Sequence, residues 1–200
     1  MRIDDAISRI AEIHAHLDKS EVYCGYRALP VALSGATALI GAVLQPLLVA
    51  DGDALAYVLY WLNIALISGL ICGVGILRRY LNDSAYGRRQ AHRTVGQFIP
   101  CLAAGSLVTL GVVRVDLTLV AILPGLWSIL FALGIFSSRP YLPRAAGWIA
   151  CFYLVMGAVL LWLAPGGGSL SPWAMGWTFG CGQIVTAGIL YWNIERKADV

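Results

Sequence analysis

The sequence predicts an all-α fold: a polytopic membrane protein with six transmembrane helices arranged as three antiparallel hairpins, in one domain, preceded by an N-terminal amphipathic cytoplasmic helix. Three observations carry that expectation. The 200-residue chain is 59% hydrophobic and 12% charged, about half the charged fraction of an average soluble domain. Its apolar residues fall into six blocks, 29–50, 54–77, 94–113, 117–136, 145–164 and 173–194, each near the length of about 20 residues that crosses the hydrocarbon core. Blocks of that length with short connections argue for helices, because strands of a membrane barrel would alternate in polarity over about ten residues. Third, the cations are sorted. If connections are assigned alternately to the two sides, Arg114 stands alone on the side opposite the termini, and the other Lys and Arg residues share the terminal side. Cytoplasmic loops hold the excess of Lys and Arg, so both termini are expected in the cytoplasm.

The first element is a surface helix at 2–19. Ile3, Ile7, Ile10, Ile13 and Leu17 recur at helical spacing, while Asp5, Arg9, Glu12 and Lys19 lie away from that stripe. It is too polar to span and suits the cytoplasmic bilayer surface. An elbow, SEVYCGYR at 20–27, follows; its tyrosines and arginine suit the headgroup layer. Span one opens with Pro30 in its first turn, where no amide donor is needed, and closes near Pro46. The outer turn is Asp51-Gly52-Asp53.

Span two carries Gly69-x-x-x-Gly73, a spacing that lets another helix backbone approach. It ends at LRRYLNDSAYGRRQAHRT, residues 77–94, with Arg78, Arg79, Arg88, Arg89 and Arg93. This is the longest polar stretch and divides the chain. Ser84 is the expected cap of a helix that begins there and continues into span three. Span three holds Gln97, Ser106 and Thr109, and Pro100 should bend it. After the turn at Asp116, span four carries Pro124-Gly125, a second expected kink. The loop SSRPYLPR cannot be helical throughout. Ser171-Pro172 reads as a cap and first-turn proline for span six, which contains Gly176-x-x-x-Gly180. A three-hairpin repeat is suggested by GAVL at 41–44 and 157–160 and by glycines 75, 134 and 188 in the returning spans.

Function is less legible than architecture. No ionisable residue lies deep in a span, and proton relays, voltage sensors and intramembrane acid–base chemistry all need one. His14, His16 and His92 fall outside the spans, which argues against a buried haem. The five cysteines form no CxxC pair, so neither a disulfide framework nor a metal site is expected. There is no P-loop, dinucleotide fingerprint, HExxH or GxSxG. No catalytic residue, metal ligand or cofactor is therefore assigned. Basic residues spread over several loops suit lipid headgroups better than nucleic acid. Gln183, central in span six, wants a partner on another helix, with Asn63, Ser68, Thr109 and Ser128 as candidates. Trp61, Trp162, Trp173 and Trp192 read as an interfacial belt.

Four segments, EVYCGYRALPVALSGATALIGAVLQ, QFIPCLAAGSLVTL, LPGLWSILFALGIF and LSPWAMGWTFGCGQ, together resemble a family of small, uncharacterised bacterial integral membrane proteins. That resemblance implies six spans and a bacterial inner-membrane location, and brings no activity with it. Two functional expectations follow. The first is a non-catalytic sensor or structural subunit, self-associating or bound to another membrane subunit, with Gly69, Gly73, Gly176 and Gly180 as helix-packing positions. The second is a passive facilitator or binding protein for a neutral or lipophilic small molecule, with Asn63, Gln97, Thr109 and Gln183 as pocket lining.

Overall fold

The computed structural model describes residues 27–82, 85–142, 145–164, 170–192 and 196. The expected surface helix at 2–19, the elbow at 20–26 and the glycines of the fifth connection lie outside them. The described residues are helical, apart from short turns. Helix α1 is Ala28–Leu48, α2 Ala54–Asn82, α3 Ala85–Val115, α4 Leu123–Ser138 and α5 Ala146–Leu163. The sixth, α6, is assembled from Pro172–Met175, a π-helical stretch Gly176–Cys181 and Gly182–Leu190. Five membrane-length apolar helices are unbroken by a change of helix type or extended only by short 3-10 turns; the π stretch divides the sixth. In length and composition these helices fit a multi-pass helical membrane protein.

Local chemistry places most boundaries where the sequence put them. Gly52 has φ +82° and turns the chain after α1, a conformation open to glycine at little cost. Asp53 then accepts the Ala56 N–H at 2.9 Å and caps α2. Asp116 does the same beyond α3, accepting the Thr118 N–H at 2.8 Å. It starts a 3-10 helix, Leu117–Ile122, so span four is not α-helical from its first residue as expected. The change to α geometry comes at Leu123, and Pro124 lies in the first turn of α4, where its missing N–H leaves nothing unpaired. Pro100 lies inside the continuous helix α3.

The arginine stretch is far more helical than a loop. Arg78 and Arg79 belong to α2, and Arg88, Arg89 and Arg93 to α3. Arg88 reaches from α3 back to the end of α2. Its guanidinium donates to the Leu81 carbonyl at 3.3 Å and lies 5.7 Å from the Tyr80 ring centre. A cation at the C-terminus of α2 satisfies a free carbonyl and offsets the helix dipole. Ser171 does precede α6, but its hydroxyl makes no cap bond.

Packing divides the bundle unevenly. At the end bearing the Asp53 and Asp116 turns, a single core joins Ala42, Tyr57, Trp61, Val120, Leu123 and Met175 from nearly every helix. At the arginine end there are two cores. One centres on Ala132, Ile135, Ala150 and Tyr153 of α4 and α5; the other joins Ala28, Val31, Ala187 and Leu190 of α1 and α6. Helix α6 packs chiefly on α1, α4 pairs with α5 and α3 with α4, while α2 and α3 touch little despite being consecutive.

Candidate functional site: a crevice between two helices

Glycines decide which helices meet. On α6, a Cβ at Gly176 would lie 2.5 Å from the Ala42 Cβ, and one at Gly180 2.6 Å from Leu39. A Cβ at Gly35 of α1 would sit 2.9 Å from the Gly180 carbonyl. Backbone approaches backbone here, the small-residue contact expected in lipid. Helices α4 and α5 close in the same way: a Cβ at Gly157 would meet the Gly125 carbonyl at 2.8 Å and Ile129 at 2.7 Å. Gly69 and Gly73 behave differently. Nothing lies within 4 Å of where their Cβ atoms would be, so this motif is open on the surface of α2 among the described residues.

Two pairs drawn together, α1 with α6 and α4 with α5, leave α5 and α6 in contact only toward their arginine ends. There Gly182 makes room for the Tyr153 ring: a Cβ on it would come within 2.5 Å of the phenol oxygen. Phe98, Phe131, Tyr153 and Phe179 stack edge to face at 4.9–5.6 Å and fill the bundle at that level. Beyond them the two helices separate. The space between is a crevice of about 490 Å³, within the range of small-molecule sites.

Met156, Val159, Leu160 and Leu163 of α5 form one wall, and Trp173, Ala174, Trp177 and Thr178 of α6 the other. Tyr57, Ala121 and Pro124 form the floor, and Leu170 and Ser171 lie where the chain enters α6. Val159, Leu163, Trp173 and Trp177 are exposed on the bundle surface, so the crevice opens sideways between α5 and α6. The two tryptophan rings stack at 5.7 Å along its edge.

Two residues bordering the crevice are polar and sealed from water. Tyr57 and Thr178 are fully buried, and neither hydroxyl has a hydrogen-bond partner among the described residues. Each such group left unpaired destabilises the fold by about 1–3 kcal/mol. Among the described residues, no Asp, Glu, Lys, Arg or His lines the crevice.

A third polar residue sets the geometry from behind. Gln45 is buried near the end of α1. Its Nε2 donates to the Leu170 carbonyl at 2.9 Å, and its Oε1 accepts the Trp61 Nε1–H at 2.8 Å. One amide thus joins α1, α2 and the entrance of α6. Trp61 is only 1% exposed and belongs to the core, not to an interfacial belt. Trp148, Trp162, Trp173 and Trp192 are exposed, as a belt requires.

The four polar residues expected to line a pocket lie elsewhere. Asn63 is exposed and donates to Leu59 in its own helix. Gln97 is exposed on α3. Thr109 is buried; it donates to the Gly105 carbonyl and accepts the Trp127 Nε1–H at 2.8 Å, tying α3 to α4. Gln183 lies against Gly35 at the α1–α6 contact. None of them borders the crevice. Ser68, Ser128, Asn63 and Thr109 all donate to backbone carbonyls instead of Gln183. The sequence reading passed over Gln45, Tyr57 and Thr178. For Thr178 a signal existed: it sits among Gly176, Gly180 and Gly182 in the most glycine-dense span.

The described cysteines, Cys72, Cys101, Cys151 and Cys181, are free, and no three His, Cys, Asp or Glu side chains among the described residues come together. No protein-family model, curated protein or solved structure matches the chain. The resemblance of the four segments gains no support from that quarter, and function rests on geometry.

Proposed function

We propose that this is a non-catalytic membrane protein that binds a neutral, lipophilic small molecule in the crevice between α5 and α6. The supporting observation is the crevice itself: about 490 Å³, apolar, free of ionisable side chains among the described residues and open toward the surface that faces lipid. A ligand partitioned into the bilayer reaches such a site without crossing water. A charged ligand would have to shed its hydration with no counter-charge to meet it. The orientation that fits the cation bias puts the crevice in the outer half of the bacterial inner membrane, with both termini cytoplasmic.

The test is retention. Protein extracted in mild detergent is measured by native mass spectrometry beside Ala174→Phe, which places a ring in the crevice. The wild type should carry a neutral lipophile that the variant lacks. Equal retention by both, or none by either, would sink the proposal.

The open Gly69-x-x-x-Gly73 face of α2 favours a second reading, a sensor or structural subunit that self-associates through α2. Mass in the same detergent checks it. A monomer unaffected by Gly73→Leu counts against it.

A further inference from the structure

Helical serines and threonines in this chain mostly return their hydroxyls to their own backbone. Thr37, Thr94, Ser106, Ser128 and Thr186 each donate to the carbonyl four residues earlier, at 2.7–3.1 Å. Side chains on an α-helix lean toward its N-terminus, which brings that carbonyl within reach. Thr178 breaks the pattern. It lies inside the π stretch Gly176–Cys181, where the extra residue per turn moves the preceding carbonyls out of line. Its Oγ1 is left buried and unpaired. Such π turns recur at functional sites, and this one frees a hydroxyl on the wall of the crevice. Tyr57 borders the crevice from α2, at its floor, with its own hydroxyl unpaired.

Two unpaired hydroxyls beside one apolar crevice are a poor way to stabilise an empty fold, since buried polar groups are nearly always paired. Neither oxygen is exposed to the empty crevice, so each donates to an arriving oxygen only after its side chain turns toward the crevice. Resting on the function proposed above, we infer that the crevice takes an uncharged lipid whose polar end presents a carbonyl oxygen. Thr178 and Tyr57 hold that oxygen as hydrogen-bond donors. The tail lies along Met156 and Leu160 and leaves past Trp173 and Trp177. A diacylglycerol and a long-chain quinone both carry this chemistry.

The experiment titrates full-length protein in detergent micelles with a long-chain quinone and, separately, with a brominated diacylglycerol. Both quench tryptophan fluorescence on contact, and a Trp173→Phe/Trp177→Phe variant identifies the share from the crevice edge. Saturable quenching by one probe is expected and identifies the source of the carbonyl. Thr178→Val and Tyr57→Phe keep the wall's shape and remove one hydroxyl each. Each should weaken that probe about three- to tenfold without lowering the melting temperature of the ligand-free protein. Unchanged affinity in both variants overturns the hydroxyl assignment; if Ala174→Phe still abolishes quenching, binding in the crevice stands. Quenching by neither probe, in protein that retains another lipophile sensitive to Ala174→Phe, overturns the carbonyl assignment alone. Tighter binding of brominated phosphatidylglycerol than of either neutral probe overturns the preference for an uncharged ligand, and with it the proposed function.

Discussion

Replacing Gln45 by Met isolates the contribution of the amide that joins three helices. Methionine matches glutamine closely in length and volume, so little packing is lost. The two hydrogen bonds are lost, to the Leu170 carbonyl at 2.9 Å and from Trp61 Nε1 at 2.8 Å. Interhelical hydrogen bonds in membrane proteins average about 0.6 kcal/mol and reach about 1.7. Trp61 is 1% exposed, so its indole N–H is left without water, and an orphaned buried donor raises the penalty toward about 1–3 kcal/mol. The expected loss is about 2 kcal/mol, or roughly 4–8 °C in melting temperature for a chain of this size. Unfolding of micelle-bound protein by titrated denaturing detergent, followed by circular dichroism, measures it. Trp61→Phe in the same background closes a double-mutant cycle. Because Trp61→Phe removes the donor that Gln45→Met orphans, the double variant should lose at least about 0.5 kcal/mol less than the sum of the singles. Strict additivity, or a Gln45→Met protein as stable as the wild type, would refute the reasoning.

Three further outcomes are expected. Gly157→Ala pushes a methyl against Ile129 and the Gly125 carbonyl and should cost about 1–3 kcal/mol; Gly69→Ala, with open space around it, should be neutral or stabilise by up to about 1 kcal/mol, both read from thermal melts. Asp53→Ala removes the cap of α2 and should cost about 1 kcal/mol, with amide exchange rising first at Ala56. The Thr118 backbone N–H, aided by its side chain, holds the Asp116 carboxyl below its ordinary value. Because the folded value is the lower one, this hydrogen bond's stabilisation is complete above the ordinary carboxylate pKa of about 3.9 and is lost as pH falls through the folded value. Carboxyl NMR titration should give a depressed midpoint that rises partway in Thr118→Ala, where the backbone donor remains; a midpoint at the ordinary value in wild type would contradict the cap.

Much of the architecture could be read before any coordinates. The six apolar runs and the turns at Asp53 and Asp116 follow from local chemistry; the expected cap at Ser84 lies outside the described residues. Pro124 shows where such reading stops short. A proline inside an apolar run suggests a kinked helix, but here the chain is 3-10 until Ile122 and the proline begins an α-helix. Both arrangements satisfy the same local rules. The two glycine motifs are the sharper lesson. Gly69-x-x-x-Gly73 and Gly176-x-x-x-Gly180 are equivalent as text, yet one is open and the other is pressed against Ala42 and Leu39.

The reason lies in the solvent. Hydrocarbon offers the backbone no hydrogen bonds, so each crossing segment must satisfy its own amides by coiling on itself. Length and apolarity therefore located the helices long enough to cross a membrane, though not their extension through the arginine stretch. Lipid tails are as apolar as leucine, so hydrophobicity does not say which face of a helix meets another helix. That choice fell to close packing at Gly35, Gly125, Gly157 and Gly180 and to the bonds of Gln45. With it came what only the folded chain contains: Trp61 in the core, Thr178 released by a π turn, and a crevice where α5 and α6 part.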